Sequence, residues 1–585
     1  MKTTFRLLIA IALLAASFSV ALANPEPPEP AGSDWGFSNR LFLPAVVSAG
    51  AHTEFSTLSK EADELTTISV VSTNDLHGAL VGSVQSFSHG DMVGGAEWVA
   101  GYVNIVREEN HGGVLWLDAG DSMQGTLISN YIDGASTIEA FNAMGVAAMA
   151  VGNHEFDWGQ EVLKDRYDQA DFPFLGANIF FKKKNGNPDH GHGGRPKWVK
   201  PYKVIEVNDV NVGIIGIANP ETPFITNPVN VDDLMFTDPA EAVNDVLPEA
   251  EAEGATMIVV LAHVGGYWPN FEEGIMDLAC GLNPDEVDLI VSGHTHGRID
   301  DVMCGIPVVQ AYSSGTAFAR VDFSVDTSTG EVADYTMNSY PVTTYQTYYG
   351  NPATYMRWDN GVYQVVVADP EVEAIVDYYE AEIEPVQNEV IGETSEPITR
   401  NYRYESPMGD WVTDIMRAYT YNPAIDFAFT NSGGLRADID GGPITFGEVF
   451  EAQPFDNTQV IVELTGAEVV QVLEEGITGA HGLIQVSGLS FEFSYDLPVH
   501  SRVMGDVIDL STGVALVPTE TYYVAVNDFM ANGGDEYITL AAAPQVNTYV
   551  LVRDLVVDWV IAFSPFAPPD PAIELRITSY GTPPP

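Results

Sequence analysis

The sequence predicts an α/β protein built from two domains. Three observations carry that expectation. β-Branched apolar runs alternate with amphipathic stretches from residue 66 onward. Polar residues of one chemical kind recur just after those runs. Near residue 390 the texture changes to shorter β-like segments with Gly-rich turns. The 585 residues and 45% hydrophobic content allow more than one sizeable core.

Each element follows from local pattern. Lys2 and Arg6 precede an apolar run from Leu7 to Ala16, and Ala21-Leu22-Ala23 offers small residues for cleavage. Residues 1–23 therefore read as a signal peptide cleaved near Ala23, since the run is short for a bilayer span. The mature chain is expected to be exported (secreted, periplasmic or cell-surface) without membrane insertion. Residues 24–65, with the Pro/Glu-rich stretch Pro25 to Pro30, read as a disordered linker.

A first domain is expected over 66–345. Its strands are Thr67 to Thr73, Gly113 to Leu117, Ala147 to Val151, Val212 to Ile217, Met257 to Ala262 and Val287 to Val291. Its helices are Glu97 to Glu109, Thr137 to Met144 and Ala240 to Ala252. Residues 346–387 read as a linker ending in a connecting helix, Pro370 to Gln387. A second domain follows over 388–575, then a Pro-rich tail over 576–585.

Charge narrows the partners. Lys plus Arg number 24 against 82 Asp plus Glu, a formal net charge of −58. That field disfavours nucleic-acid polymers and anionic lipid surfaces. It also repels small anions, so a phosphate-binding site here needs local cations. Lys182, Lys183, Lys184, Arg195, Lys197, Lys200 and Lys203 crowd one segment. A solvated loop is the simpler reading of them, and a substrate-steering patch the other. The two cysteines, Cys280 and Cys304, read as one disulfide in an exported chain.

The chemistry lies in the residues that follow the strands. Asp75-Leu76-His77, Gly120-Asp121, Gly152-Asn153-His154-Glu155, His263 and Gly293-His294-Thr295-His296 supply carboxylate, amide and imidazole. In open α/β sheets ligands bind beyond the carboxyl ends of strands, so these groups should converge. They suffice for two divalent ions, with Zn, Mn or Co suited to the donor types. Asp75, His77, Asp121 and His296 are assigned to one, and Asp121, Asn153, His263 and His294 to the other. His154, with Asp157 three residues on to orient it and raise its pKa, is left over as acid or transition-state stabiliser. His111, His190, His192 and His500 are read as structural or solvated. The set points to metal-assisted hydrolysis of a phosphate ester.

The motifs Asn74-Asp75-Leu76-His77-Gly78, Gly120-Asp121-Ser122-Met123-Gln124-Gly125-Thr126, Gly152-Asn153-His154-Glu155-Phe156-Asp157 and Gly293-His294-Thr295-His296 resemble those of the 5′-nucleotidase family of calcineurin-like metallophosphatases. The resemblance implies a four-layer α/β/β/α metallophosphatase domain, two metal ions and the His154–Asp157 pair. It implies an α/β 5′-nucleotidase C-terminal domain that rotates to bring substrate to the metals. There Asn431-Ser432-Gly433-Gly434-Leu435-Arg436 is similar to the family's substrate loop, with Asn431 and Arg436 as substrate contacts. Phe455 and Phe529 match the aromatics that sandwich a nucleobase, and Asp535 the acceptor for ribose hydroxyls. Arg403, or Arg400, stands for a phosphate-contacting arginine, one place from the expected spacing, and Asp410 replaces a usual Asn. The implied activity is hydrolysis of nucleoside 5′-monophosphates. UDP-sugar or dinucleotide hydrolysis and 2′,3′-cyclic nucleotide phosphodiesterase activity would use the same ligands. A non-catalytic nucleoside-binding or adhesion role would keep only the scaffold.

Overall fold

Two six-stranded sheets face each other in the first half of the chain. The computed structural model describes residues 65–583 apart from 85–87, 89–90, 184–193, 267–273 and 347–350. The expected signal peptide, 1–23, and linker residues 24–64 lie outside the described residues, as do Lys184, His190 and His192.

The first sheet runs in the order Val332–Pro341, Ala317–Asp326, Leu65–Thr73, Val114–Asp118, Ala148–Ala150 and Phe174–Leu175. The second runs Arg298–Met303, Ile306–Ala311, Leu289–Val291, Met257–Ala262, Val210–Ile217 and Tyr202–Val207. Their central strands are parallel; Val71 pairs with Trp116, and Val260 with Ile215 and Ile290.

Strand periodicity builds the layers. Val70, Leu115, Leu117, Val212, Ile214, Val259 and Leu261 fill the space between the sheets. The alternate residues Val71, Trp116 and Met149 pack outward under the helices Ala96–Glu109 and Ala135–Met144. Ile215, Ile258, Val260 and Ile290 pack under Pro239–Ala252 and Ile275–Cys280. The result is the expected α/β/β/α arrangement. A disulfide joins Cys280, at the end of the latter helix, to Cys304 in the turn after Arg298–Met303.

Within the region expected as a linker and connecting helix, 346–387, described residues from Ala353 onward join the first domain's core. Tyr355, Val366, Val372, Val376 and Ile383 are buried in the cluster around Trp116. The Tyr355 hydroxyl accepts a hydrogen bond from the buried Arg320, whose guanidinium also pairs with Glu109 and Asp322. The helix Pro370–Gln387 begins at Asp369, whose side chain accepts from Glu371 and Val372 amides. It packs on Ala96–Glu109, Ala135–Met144 and, across the domain boundary, Phe446–Ala452.

The second domain has a five-stranded mixed sheet, Ile484–Ser487, Phe427–Asn431, Thr521–Asn527, Thr458–Thr465 and Gln545–Leu551. Pro407–Ala418 and Val552–Phe563 cover one face. A four-stranded sheet and Gly466–Glu475 share the core on the other. The expected tail departs from expectation here. Ile577–Tyr580 adds a parallel strand to Leu489–Ser494, and Arg576 is buried against Asp414 and Glu574. Four residues are too few for a periodic signal beside Pro-rich neighbours, so only tertiary pairing reveals this strand. Among the described residues no helix is long and apolar enough to cross a membrane.

Candidate active site

The turns that leave the parallel strands carry the site. Asp75 follows Leu65–Thr73, Asp121 follows Val114–Asp118 and Asn153 follows Ala148–Ala150. His263 follows Met257–Ala262, and His294 and His296 follow Leu289–Val291. Both sheets deliver these ends to one edge. Asp75, His77, Asp121, His294 and His296 all adopt left-handed backbone, with φ of 50°, 52°, 54°, 76° and 54°. Such conformations cost on the order of 1 kcal/mol or more for non-glycine residues and gather at functional sites. Gly152 is required by close approach: a Cβ there would lie 2.2 Å from Asp121 Oδ1.

Two groups of donor atoms result, Asp75 with His77 and His296, and Asp121 with His263 and His294. Within each, the atoms lie no more than 4.8 Å apart. His77 Nδ1 donates to the Gln124 carbonyl (2.9 Å) and His263 Nδ1 to the Ala119 carbonyl (2.8 Å). A carbonyl only accepts, so in the neutral ring each Nε2 carries a lone pair turned inward. His77 Nε2 lies 3.0 Å from His296 Nε2, and His263 Nε2 lies 2.9 Å from Asp121 Oδ2. Asn153 Nδ2 donates to the Ile225 carbonyl (3.4 Å), while its buried Oδ1 has no hydrogen-bond partner. An orphaned amide oxygen and inward lone pairs beside two buried carboxylates fit bound cations. Burial pushes the Asp75 and Asp121 pKa values up, but the neighbouring imidazoles outweigh it and hold both below the ordinary carboxylate range.

His154 sits beside the second group. Its amide donates to Asp121 Oδ1 (2.8 Å), and its Nδ1 is 2.7 Å from Asp157 Oδ2. Thr226 Oγ1 donates to the other Asp157 oxygen (2.9 Å). Burial disfavours the imidazolium, yet the Asp157 and Asp121 carboxylates prevail and raise the His154 pKa. The Phe455 ring stacks on His154, 5.6 Å between centroids and 25° between planes.

Phe455 belongs to the second domain, so the site lies in a cleft of about 2070 Å³ between the domains. Arg436, Asn431, Phe529 and Asp535 line it from the same side. The Arg436 guanidinium lies over Phe455, 5.9 Å from the ring centroid, and its charge reaches His77 and His154. Asn431 Nδ2 donates to Asp535 Oδ2 (2.8 Å), so this asparagine also holds the carboxylate in place. Burial pushes the Asp535 pKa up to about 6, against the pull of His481 and Asn431. Gly534 packs under Phe529; a Cβ there would lie 2.4 Å from the ring.

Arg400 lines the cleft and Arg403 is not among its lining residues. The Arg400 amide is held by Asp438 Oδ1 and its guanidinium by the Leu435 carbonyl. Asp410 points away into the second domain's interior, 3.8 Å from Arg576. In the basic segment, Arg195 donates to the Gly176 and Ala177 carbonyls, and Lys182 to the Asp232 carbonyl.

Three further features complete the site. Glu155 accepts from the amides of Asp121, Ser122 and Gly152, each at 2.8 Å, and so shapes two of the ligand turns. Its place beside the metal-donor residues is visible in sequence, but its burial and its acceptance of backbone amides are not. Asn457, two residues after Phe455, lines the cleft. His481 lies 3.8 Å from both Asp535 and Glu536. Nothing in the local pattern around His481 distinguishes it.

Comparison with known proteins agrees with this geometry. Residues 68–298 match the model of calcineurin-like phosphoesterases, and residues 390–542 that of the 5′-nucleotidase C-terminal domain. A 5′-nucleotidase precursor from Thermus thermophilus has the same fold, with a TM-score of 0.72 and 30% identity over 88% of this chain and all of that one. The Vibrio cholerae 5′-nucleotidase is 28% identical over 86% of this chain and 92% of its own length. The Bacillus subtilis trifunctional nucleotide phosphoesterase protein is 28% identical over 82% of this chain, which spans only 33% of that larger protein. This chain likewise spans 40% of a 26% identical endonuclease from the same organism.

Proposed function

The chain belongs to the 5′-nucleotidase family of calcineurin-like metallophosphatases, and we propose that it hydrolyses nucleoside 5′-monophosphates to nucleoside and phosphate. The observation that carries the reading is the meeting of two residue sets in one cleft. Metal-ligand groups and His154 come from one domain, and Arg436, Phe455, Phe529 and Asp535 from the other.

Asp75, His77, Asp121 and His296 would hold one divalent ion, and Asp121, Asn153, His263 and His294 a second, with Zn, Mn or Co suited to the donors. Bound there, the pair supplies a polarised phosphoryl oxygen and a water of lowered pKa for attack. The protein's own groups do the rest. Arg436 offsets the charge of the phosphate in a chain that is otherwise strongly acidic. Asp157 accepts from Nδ1 and stabilises the His154 imidazolium, whose Nε2–H gives its proton to the leaving oxygen. Phe529 and Phe455 offer faces for the base, and Asp535 an acceptor for ribose hydroxyls.

The cleft of about 2070 Å³ exceeds the ~300–1,000 Å³ of ordinary small-ligand sites. That room favours UDP-sugars or dinucleotides as the second substrate class. The signal-peptide pattern at residues 1–23 and the Cys280–Cys304 disulfide support action outside the cytosol.

The test is phosphate release from AMP by purified protein with Mn²⁺, Zn²⁺ or Co²⁺ added. Release is expected, with His154→Ala lowering kcat by about 10²–10⁴. No release with any of these metals overturns the reading. Full activity in His154→Ala removes that residue from the chemistry.

A further inference from the structure

Each aromatic loop of the second domain is fastened to the first domain by one asparagine. Asn130, at the end of Leu127–Asn130, donates from Nδ2 to the Pro454 carbonyl (2.9 Å), one residue before Phe455. Asn227 donates from Nδ2 to Asp528 Oδ2 (3.3 Å), one residue before Phe529. Asn227 Oδ1 also accepts from Asn532 Nδ2 (3.3 Å) on the same loop.

The same two asparagines stand on segments that hold the catalytic groups. Asn130 Oδ1 accepts from the Gly125 amide (2.8 Å). Gly125 is pressed against the His77 backbone, and the preceding Gln124 carbonyl takes the His77 Nδ1 proton. Asn227 follows Thr226, whose hydroxyl holds Asp157, and Ile225, whose carbonyl holds Asn153. One asparagine thus joins the Phe455 loop to the turn that orients His77. The other joins the Phe529 loop to the turn that orients Asp157 and Asn153.

We propose that Asn130 and Asn227 are positioning residues that couple docking of the nucleobase loops to the arrangement of the catalytic groups, so that a nucleotide's base raises the rate of cleavage as well as its affinity. The inference rests on the nucleotide reading above. Its physical basis is that binding energy from a remote part of a substrate is realised at the reacting centre only through a mechanical link. Here the link is two hydrogen-bonded side chains, one at each aromatic.

The experiment compares kcat and KM for the wild type, Asn130→Ala and Asn227→Ala on AMP and on p-nitrophenyl phosphate, which has no base. On AMP, Asn130→Ala is expected to lose about fivefold in kcat, the worth of a hydrogen bond to a neutral carbonyl, and Asn227→Ala about tenfold, the worth of one to a carboxylate. On p-nitrophenyl phosphate the loss is expected to be at least about threefold smaller than on AMP, and an unchanged urea midpoint is the control that the protein is folded. Equal losses on both substrates would mean a merely structural role and overturn the inference, as would unchanged kcat on AMP.

A polarity swap gives an independent check. Asn227→Asp alone sets two carboxylates against each other and should lower kcat on AMP. Adding Asp528→Asn restores the hydrogen bond in the reverse sense and should return kcat to within about twofold of wild type. Failure to recover contradicts the coupling. Wild-type protein that cleaves p-nitrophenyl phosphate but not AMP overturns the nucleotide reading and the inference with it, before any variant is compared.

Discussion

Asp410→Asn should stabilise the second domain, increasingly so as the pH rises. Asp410 is fully buried in the helix Pro407–Ala418, and neither carboxylate oxygen has a hydrogen-bond partner. Burial pushes its pKa from 3.8 up to about 8, against the pull of Arg576 and with the carboxylates Glu405, Glu574 and Asp414 adding to the rise. Arg576 is 3.8 Å away and already donates to Asp414 and Glu574. The folded state therefore binds a proton that the unfolded state releases near the ordinary carboxylate pKa. This favours folding below the unfolded pKa and is lost progressively as pH rises toward the folded one. Each pH unit in that window costs the wild type up to about 1.4 kcal/mol relative to a residue that cannot ionise. The asparagine leaves its amide unsatisfied at every pH, a constant penalty of about 1–3 kcal/mol. Between pH 5 and pH 7 the stability difference, variant minus wild type, should thus rise by about 2–3 kcal/mol. Urea unfolding followed across that range measures it. A difference independent of pH, or one falling as pH rises, would refute the reasoning. It would show Asp410 ionised and paired with Arg576.

Two other expectations concern the chain as a whole. Replacing Cys280 and Cys304 together by Ser releases a cross-link between residues 24 apart and should lower unfolding free energy by about 3 kcal/mol; an unchanged urea midpoint would show that the bridge constrains nothing. The net charge of −58 predicts a thermal midpoint that climbs as NaCl goes from about 0.1 M to about 1 M, where the screening length falls from about 10 Å to about 3 Å. A flat or falling midpoint would mean that carboxylate repulsion does not limit stability.

The two clusters of metal-donor side chains were legible because their signals are local. Asp75, Asp121, Asn153, His263 and His294 each follow a short buried apolar run, and the fold then carries the strand ends together. The left-handed backbone at Asp75, His77, Asp121, His294 and His296 left no such trace. Those φ values are imposed by the turns and by close packing such as Gly152 on Asp121. The strands Arg298–Met303, Ile306–Ala311, Ala317–Asp326 and Val332–Pro341 left little local trace as well. They carry no motif at their ends; charged residues interrupt three of them, and Pro307 and Gln310 interrupt Ile306–Ala311. Arg400 and Arg403 differ by three residues in an irregular segment, where spacing cannot say which one turns to the cleft.

Charge explains why the two halves depend on each other. The cleft is lined by Asp157, Asp238, Asp438, Asp456, Asp535 and Glu536 among other acids, with Arg400 and Arg436 as its arginines. An anionic substrate entering this field meets repulsion from both walls. Arg436 stands on the second domain, yet its charge bears on His77 and His154 of the first. Burial, and then the nearby Arg400, lower the Arg436 pKa, so the cation is held in place at an electrostatic cost that a bound phosphate would offset. Attraction for phosphate is thus greatest when the second domain faces the ligand groups. The Asn130 and Asn227 contacts hold that same arrangement. On the proposed function, selectivity for a nucleotide over a bare phosphate ester would belong to the cleft as a whole, with no single loop carrying it.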